Sequence, residues 1–245
     1  MPPLIPDPMF YCPGLANVAG ELTLDGEEAH HARNVRRLSV GDRICLFDGC
    51  GTVARAIVMA TDPQSRGLRL QLHDRQSLPP PRPQIELACA LPKGDRQNML
   101  LDMATQLGVT AFRPLLCERS VVKVGANAQQ RWRRTCLEAC KQSRRAHLPV
   151  IHEALTPAEI ASLTVDRCTI WVADPRGTPL HAVSVHTLER LLIMVGPEGG
   201  FTDAETAHLV ESGAQVFALG PAVLRVEVAA IALLAYVALG ARNDW

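Results

Sequence analysis

The chain has 245 residues, is 47% hydrophobic and 20% charged, and carries 25 basic against 25 acidic side chains, giving zero formal net charge. This length and composition support a substantial core in one or two domains, and the neutral balance argues against bulk nucleic-acid affinity. The longest apolar stretch, Val228–Leu239, is about a dozen residues long, short of the roughly 20 that a membrane span needs, so we expect a buried helix and no membrane partner.

Residues 1–78 are predicted to form a small β-barrel domain. Short segments of β-rich or alternating character are separated by turn residues, and the predicted strands are Gly20–Leu24, Arg43–Phe47, Val53–Met59 and Leu68–His73. Asp48-Gly49 lies between the second and third of these and is a hairpin signal. A short helix is expected over about Glu27–Leu38.

A proline-rich linker is predicted at residues 79–84, because such a run favours an extended, semi-rigid spacer. After it, in residues 85–245, predicted strands alternate with predicted helices, which indicates an α/β domain with a mostly parallel sheet. The strands are Ile85–Leu91, Thr110–Leu116, Cys168–Ala173, Leu191–Val195 and Gln215–Leu219. The helices are Gln97–Leu107, Ala128–Ser143, Pro157–Leu163, Ala204–Ser212 and Val226–Leu239.

Two glycine-marked loops follow the last two predicted strands. The first motif is Met194–Glu205, whose loop, residues 196–202, begins Gly196-Pro197-Glu198-Gly199-Gly200. The second motif is Leu219–Glu227, whose loop is residues 219–225. Ligands bind outside the carboxyl ends of strands in open α/β sheets, and glycine lets the backbone approach a ligand closely. Gly-Pro and Gly-Gly also punctuate ordinary turns. Two such loops in consecutive strand–helix units nevertheless favour a ligand site over plain turns.

Cysteine usage and local charge add two expectations. The eight cysteines are scattered without C-x-x-C spacing, which is typical of core residues in a reducing cytoplasm and favours neither a disulfide framework nor a metal site. Eight Lys/Arg and a single acid lie between Arg119 and His147. This asymmetry is compatible with a local basic face for RNA and equally with a solvated helix surface.

The two loops resemble the S-adenosylmethionine-binding loops of SPOUT methyltransferases. Within that superfamily the chain is most similar to the bacterial enzymes that methylate N3 of a uridine in 16S ribosomal RNA of the small subunit. The similarity covers most of the chain. Its motifs outside the loops include His30-His31, Gly41-Asp42, Phe47-Asp48-Gly49, Lys93-Gly94, Leu107-Gly108-Val109, Glu118-Arg119-Ser120, Arg131-Trp132 and Glu138-Ala139-Cys140.

The resemblance implies an N-terminal PUA-like domain and a C-terminal SPOUT domain with a trefoil knot. It also implies a cytoplasmic homodimer that uses S-adenosylmethionine, binds the small ribosomal subunit and takes part in rRNA processing and ribosome biogenesis, without a metal. The cofactor site would be formed by Gly196, Glu198, Gly199, Gly200, Leu219, Gly220 and Leu224. The RNA contacts would come from His30, Arg33, Arg36, Arg37, Arg119, Arg131, Arg134, Arg144 and Arg145.

Two residues are candidates for a catalytic role. Arg225 either stabilises negative charge developing on the base, or holds a phosphate, or merely pairs with Glu227 or Glu198 to fix the loop. Glu198 either orients the substrate or binds N–H groups of its own loop. The sequence identifies no general base.

The chain departs from the family pattern near the second loop. Ala222 stands where the family usually has arginine, and Val226 and Val228 replace hydroxyl residues. Met103, Gln106 and Lys141 stand where lysine and glutamates are expected. Because the glycines are intact, cofactor binding is expected to persist. Two alternatives stay open: a tRNA or ribose methyltransferase of the same superfamily, and a non-catalytic RNA-binding or ribosome-assembly protein.

Overall fold

The computed structural model describes residues 7–61, 67–163, 168–180 and 183–241, which divide into two compact units. The N-terminal unit contains the residues up to Pro80 together with Cys140–Leu148. The C-terminal unit contains Pro81–Ala139 and the residues from Pro149 onward. In sequence, the first change of unit falls inside the proline-rich segment.

The N-terminal unit is built on a five-stranded sheet. Its strands are β1 (Met9–Tyr11), β2 (Glu21–Leu24), β3 (Arg43–Phe47), β4 (Thr52–Thr61) and β5 (Leu68–Ser77), in the order β1-β3-β4-β5-β2. β1 runs parallel to β3 and the other pairs are antiparallel. Apolar residues at alternate positions, such as Leu46, Val58 and Leu70, are buried to form its core. The four predicted strands are confirmed, whereas the three-residue β1 is too short to carry a periodic signal.

The predicted hairpin and helix of this unit need adjustment. β3 and β4 do form an antiparallel hairpin, but its loop spans residues 48–51 rather than two residues. The Asp48 Oδ1 atom accepts hydrogen bonds from the N–H groups of Cys50 and Thr52, at 2.7 and 3.0 Å, which stabilises the longer turn. The helix, expected to reach Leu38, is an α-helix only over α1 (Gly26–His30) and continues as a π-helical turn over His31–Val35.

The C-terminal unit is built on a six-stranded sheet. Its strands are β6 (Gln84–Ala90), β7 (Ala111–Leu115), β8 (Val150–Ile151), β9 (Cys168–Pro179), β10 (Arg190–Val195) and β11 (Gln215–Ala218), in the order β11-β9-β10-β6-β7-β8. All five pairings are parallel. The helices are α2 (Arg96–Gln106), α3 (Ala128–Ser143), α4 (Pro157–Leu163), α5 (Asp203–Glu211) and α6 (Val226–Gly240). The predicted parallel α/β sheet is therefore confirmed; the trefoil knot stays a prediction.

β10 lies between β9 and β6 and is buried on both faces. Leu192 and Met194 belong to a core cluster that includes Phe201 and Leu209, while the alternate residues of the strand point to the opposite face. The apolar helix α6 packs against β10, β6 and α2. None of the helices in the described ranges is long and apolar enough to cross a membrane. All eight cysteines are free thiols.

Candidate functional site

The first loop leaves the carboxyl end of β10 and is shaped by a close contact at Gly196. A Cβ added to Gly196 would lie 3.0 Å from two ring carbons of Phe201, whose side chain is 2% exposed. Glycine thus allows Phe201 to pack beneath the strand end. Gly196 is buried, while Glu198 and Gly199 are exposed at the tip of the loop.

The end of the first loop is fixed by a helix cap. The Glu205 N–H donates to Thr202 Oγ1 at 3.2 Å, and the Thr202 N–H donates to Glu205 Oε2 at 2.8 Å, which forms a capping box at the start of α5. Gly200 has a φ of 69°, a left-handed conformation that favours glycine, and its N–H donates to the Pro197 carbonyl at 2.8 Å. Both interactions hold the loop in one conformation.

Arg119, which follows β7, supports the first loop from the side. Its Nη1 atom donates to the carbonyls of Gly199 at 2.8 Å and Phe201 at 3.4 Å. The neighbouring N–H of Glu118 donates to Glu205 Oε1 at 2.9 Å. Sequence reasoning assigned Arg119 to RNA alone and missed this contact. The motif Glu118-Arg119-Ser120 was the only sequence feature that pointed to a role for Arg119. It could not identify the partners, because they lie about 80 residues away along the chain.

The second loop leaves β11 and is open. Gly220 has a φ of 137°, and no atom lies within 4 Å of an added Cβ, so no neighbouring side chain occupies the space on this side of its backbone. Leu219 and Leu224 are half-buried, and the residues between Gly220 and Leu224 are exposed. Arg225 is exposed at the N-cap of α6, and no ion pair of its guanidinium is found within the described part of the chain.

Glu227 lies in the first turn of α6 and is only 5% exposed. Its Oε1 atom is 3.3 Å from Nη1 of Arg96, the first residue of α2. The structure thus pairs Glu227 with Arg96 rather than with Arg225. The other oxygen, Oε2, is buried and has no hydrogen-bond partner among the described residues.

Carboxylates from both loop regions lie near the carboxyl end of β6. Cys89, in that strand, is completely buried, and its burial is the main cause that raises the pKa of the thiol far above its ordinary value. The negative charges of Glu227 and Glu198 are among those that raise this pKa further. Glu198 is exposed and makes no side-chain hydrogen bond to its own loop among the described residues.

The candidate RNA contacts fall into two groups. Arg144 and Arg145 belong to the N-terminal unit, as do His30, Arg33, Arg36 and Arg37, although about 100 residues separate the two sets in sequence. Lys141 Nζ contacts Glu28 Oε1 at 3.0 Å, which ties the segment 140–148 to α1. Arg131 and Arg134 are exposed on α3, and Arg131 also donates to Gln97 Oε1 at 3.1 Å.

Two cavities lie elsewhere in the C-terminal unit. One, of about 750 Å³, is lined by residues that include Asp174, Arg176, Thr206 and Val216. The other, of about 430 Å³, lies where β7, α4 and α5 meet and includes Cys117 and Glu205. Neither contains the glycines of the loops, so the candidate site is defined by exposed backbone at the sheet edge.

Comparisons with known proteins agree with this architecture. A family model described as RNA methyltransferase domain matches residues 79–238, and one described as RNA methyltransferase PUA domain matches residues 24–65. The parallel α/β sheet with two glycine loops, joined to a β domain of this kind, defines the class of protein: it is an RNA methyltransferase.

The relatives narrow the class. Ribosomal RNA small subunit methyltransferase E of Mycobacterium bovis is 34% identical over 242 residues, 95% of this chain and 90% of the relative. The protein of the same name from Bacillus subtilis is 31% identical over 225 residues, 86% and 87% of the two chains. The chain belongs to the ribosomal RNA small subunit methyltransferase E family.

Solved structures carry the same fold. The Neisseria gonorrhoeae ribosomal RNA small subunit methyltransferase E, bound to S-adenosyl methionine, matches with a TM-score of 0.84 at 28% identity, over 94% of this chain and 96% of that one. A putative Legionella pneumophila methyltransferase with bound SAM matches with a TM-score of 0.85 at 25% identity, over 97% and 99%.

The residues at the sheet edge fit a molecule such as S-adenosylmethionine. Gly200 and Gly220 adopt left-handed backbone conformations with open space where a side chain would be, which leaves room for a ligand beside the backbone. Half-buried Leu219 and Leu224 supply apolar surface for a flat adenine ring. The assignment of individual cofactor residues stays a prediction.

Proposed function

We propose that this protein methylates N3 of a uridine in 16S ribosomal RNA, with S-adenosylmethionine as the methyl donor. The observation that carries the proposal is the pair of glycine loops at the carboxyl edge of the parallel sheet. One of these loops is capped by Thr202 and clamped by Arg119. The other has open glycine backbone and leads into α6. Family membership supports the choice of RNA as substrate.

The residues of the chain would act mainly by positioning. The bound cofactor supplies an electrophilic methyl group, and the glycines of the two loops hold it by backbone contacts. Leu219 and Leu224 pack against its adenine, and Arg119 keeps the first loop in shape through the Gly199 carbonyl. Positioning of this kind accounts for a large share of rate enhancement in group transfer.

Arg225 is proposed to act on the substrate. Its exposed guanidinium at the start of α6 has no ion-pair partner among the described residues, so it is available to a uracil oxygen or a phosphate. Glu198, exposed on the first loop, is proposed to orient the target base.

The RNA contacts are proposed to come from basic side chains in each of the two units. Arginine positions phosphates well through its planar fork, and the proposed contacts are those predicted from the sequence: His30, Arg33, Arg36, Arg37, Arg119, Arg131, Arg134, Arg144 and Arg145. We further propose a cytoplasmic homodimer. Val223 in the second loop and Val228 in the first turn of α6 are 83% and 46% exposed, and they are apolar side chains that a second copy would cover.

The test is transfer of labelled methyl from S-adenosylmethionine to small ribosomal subunits that lack the uridine-N3 methylation. Naked 16S rRNA and bulk tRNA are assayed in parallel, and the modified base is mapped. Label at N3 of a single 16S uridine is the expected result. Label on tRNA alone would show that the substrate is tRNA and not 16S rRNA. Cofactor binding without label on any RNA would show that the chain is a non-catalytic RNA-binding or ribosome-assembly protein.

A further inference from the structure

Glu227 is a buried carboxylate with one oxygen unused. The residue is 5% exposed, and Oε2 has no hydrogen-bond partner in the described part of the chain. Buried polar atoms in native proteins are nearly always paired, so an unpaired acceptor calls for an explanation such as a missing ligand. A carboxylate oxygen can be satisfied only by a donor, which narrows the ligand group to an N–H or O–H.

The position of Glu227 relates this oxygen to the candidate site. Glu227 lies two residues after Arg225, in the first turn of the helix that the second loop leads into. Arg96, at the start of α2, contacts Oε1 at 3.3 Å and so fixes the carboxylate with Oε2 as the free atom. Both helices begin at the carboxyl edge of the parallel sheet, where the two glycine loops lie.

The second loop ends two residues before Glu227. Within the described residues, positions 219–224 make no hydrogen bonds with the rest of the chain. Gly220, with a φ of 137°, adds backbone freedom. The second loop, which directly precedes α6, therefore has no hydrogen bond that would hold it in place among the described residues, and a shift of this loop is the movement that our inference requires to admit the target base.

We propose that Glu227 accepts the N3 proton of the target uridine. The inference rests on the proposed N3 methylation, because uracil N3 carries a proton that must leave as the nitrogen bonds to the methyl carbon. Oε2 takes this proton while the cofactor's carbon–sulfur bond breaks toward sulfur. The products are N3-methyluridine, S-adenosylhomocysteine and a neutral Glu227, so the positive charge of the donor and the negative charge of the carboxylate cancel.

Other groups in the site are less suited to this role. Glu198 is a carboxylate at the tip of the first loop, but it is exposed and lacks a fixing partner. Arg96 and Arg225 are cations that favour the deprotonated uracil rather than accept its proton. Among the described residues of the two loop regions, only Glu227 has a carboxylate that is held by an ion pair through one oxygen while its other oxygen is buried without a hydrogen-bond partner.

The test compares Glu227→Gln with the wild type on two substrates. The amide keeps an oxygen for Arg96 but is a poor proton acceptor. Small subunits are reconstituted from 16S rRNA transcribed with uridine or with 5-fluorouridine, whose N3–H is more acidic and needs less help to leave. Single-turnover methyl transfer is measured on both, and the affinity for S-adenosylmethionine is measured by calorimetry. Glu211→Gln, an exposed change at the end of α5, is the matched control.

We expect the glutamine variant to be slower by about 100-fold or more on uridine, the range that general-base catalysis supplies. On 5-fluorouridine the ratio of wild-type to variant rate should be smaller by about tenfold or more, because loss of the more acidic N3 proton depends less on a proton acceptor in the protein. Cofactor affinity should stay within about twofold of wild type, since the role concerns the proton. The control variant should match the wild type on both substrates.

An equal deficit on the two substrates, or a large loss of cofactor affinity, would overturn the inference in favour of a structural role. Should Glu227→Gln fail to fold, Glu227→Asp keeps the charge and withdraws the oxygen. Its 5-fluorouridine-to-uridine rate ratio should exceed that of the wild type, and an unchanged ratio would overturn the inference. A wild type that methylates neither rRNA would overturn the proposed function itself, which separates the two failures.

Discussion

Gly196 is the residue at which the first loop has the least spare room. A Cβ at this position would lie 3.0 Å from the Phe201 ring, which is buried and cannot retreat into solvent. We therefore predict that Gly196→Ala destabilises the protein by about 1–3 kcal/mol, the usual range for overpacking, and displaces the loop backbone. The melting temperature and the calorimetric affinity for S-adenosylmethionine should both fall.

Gly125→Ala is the matched control for this change. Gly125 has open space around an added Cβ and no positive φ, so alanine should leave both measurements unchanged. If Gly196→Ala bound the cofactor as tightly as the wild type, the first loop would not hold it through its backbone.

The start of α5 connects the first loop to the helix that follows. Thr202 Oγ1 accepts the Glu205 N–H, and loss of an N-cap side chain costs about 0.5–2 kcal/mol. We predict that Thr202→Ala loses stability in this range, whereas Thr202→Ser, which keeps the hydroxyl, loses little. Chemical unfolding of the three proteins measures this, and equal stability of the alanine and serine variants would contradict it.

β9 contains an irregular segment that is held against α5. Its register with β11 shifts between Val216 and Phe217, and in this segment Arg176 donates to Asp174 and to Asp203. The Asp174 side chain is 3% exposed. The side-chain hydrogen bond from Arg176 is the main cause that holds the pKa of Asp174 below its ordinary value.

A lowered folded-state pKa means that Asp174 stabilises the protein above the unfolded pKa of about 3.9, and that this contribution is lost as the pH falls through the folded value. We predict that Asp174→Asn is less stable than wild type by about 1–3 kcal/mol at pH 7, with the gap closing below about pH 4. Urea unfolding at both pH values measures it. Asp95→Asn, at an exposed residue without a side-chain cap, should show no gap at either pH.

The whole molecule is electrically neutral, so its affinity for RNA must come from the distribution of charge. Each phosphate contact releases counterions and steepens the fall of affinity with salt. We predict that Arg36→Ala lowers RNA affinity several-fold and reduces the slope of log affinity against log salt by about 1. Arg69→Ala, an exposed arginine on β5, should change neither quantity. Equal slopes for the wild type, Arg36→Ala and Arg69→Ala would show that Arg36 does not contact an RNA phosphate.

Much of the secondary structure could be predicted from the sequence. The bounds of β3, α3 and α4 match the predictions to the residue, because periodicity, caps and turn residues are encoded over a few neighbouring positions. The two glycine loops were recognisable for the same reason. The short strands β1 and β8 were missed, since two or three residues carry no periodic pattern.

The sequence by itself determined the alternation of strands and helices, the parallel sheet and the two loops at its edge, since these depend on local hydrophobic pattern and backbone preference. Only the tertiary structure decided which charges meet. Arg96 pairs with Glu227 across 131 positions, Arg119 reaches the Gly199 carbonyl across 80, and residues 140–148 join the N-terminal unit. The reason is that the local sequence around a charged side chain does not specify its partner. The partner is selected by the packing of the chain, which brings distant segments within hydrogen-bond distance.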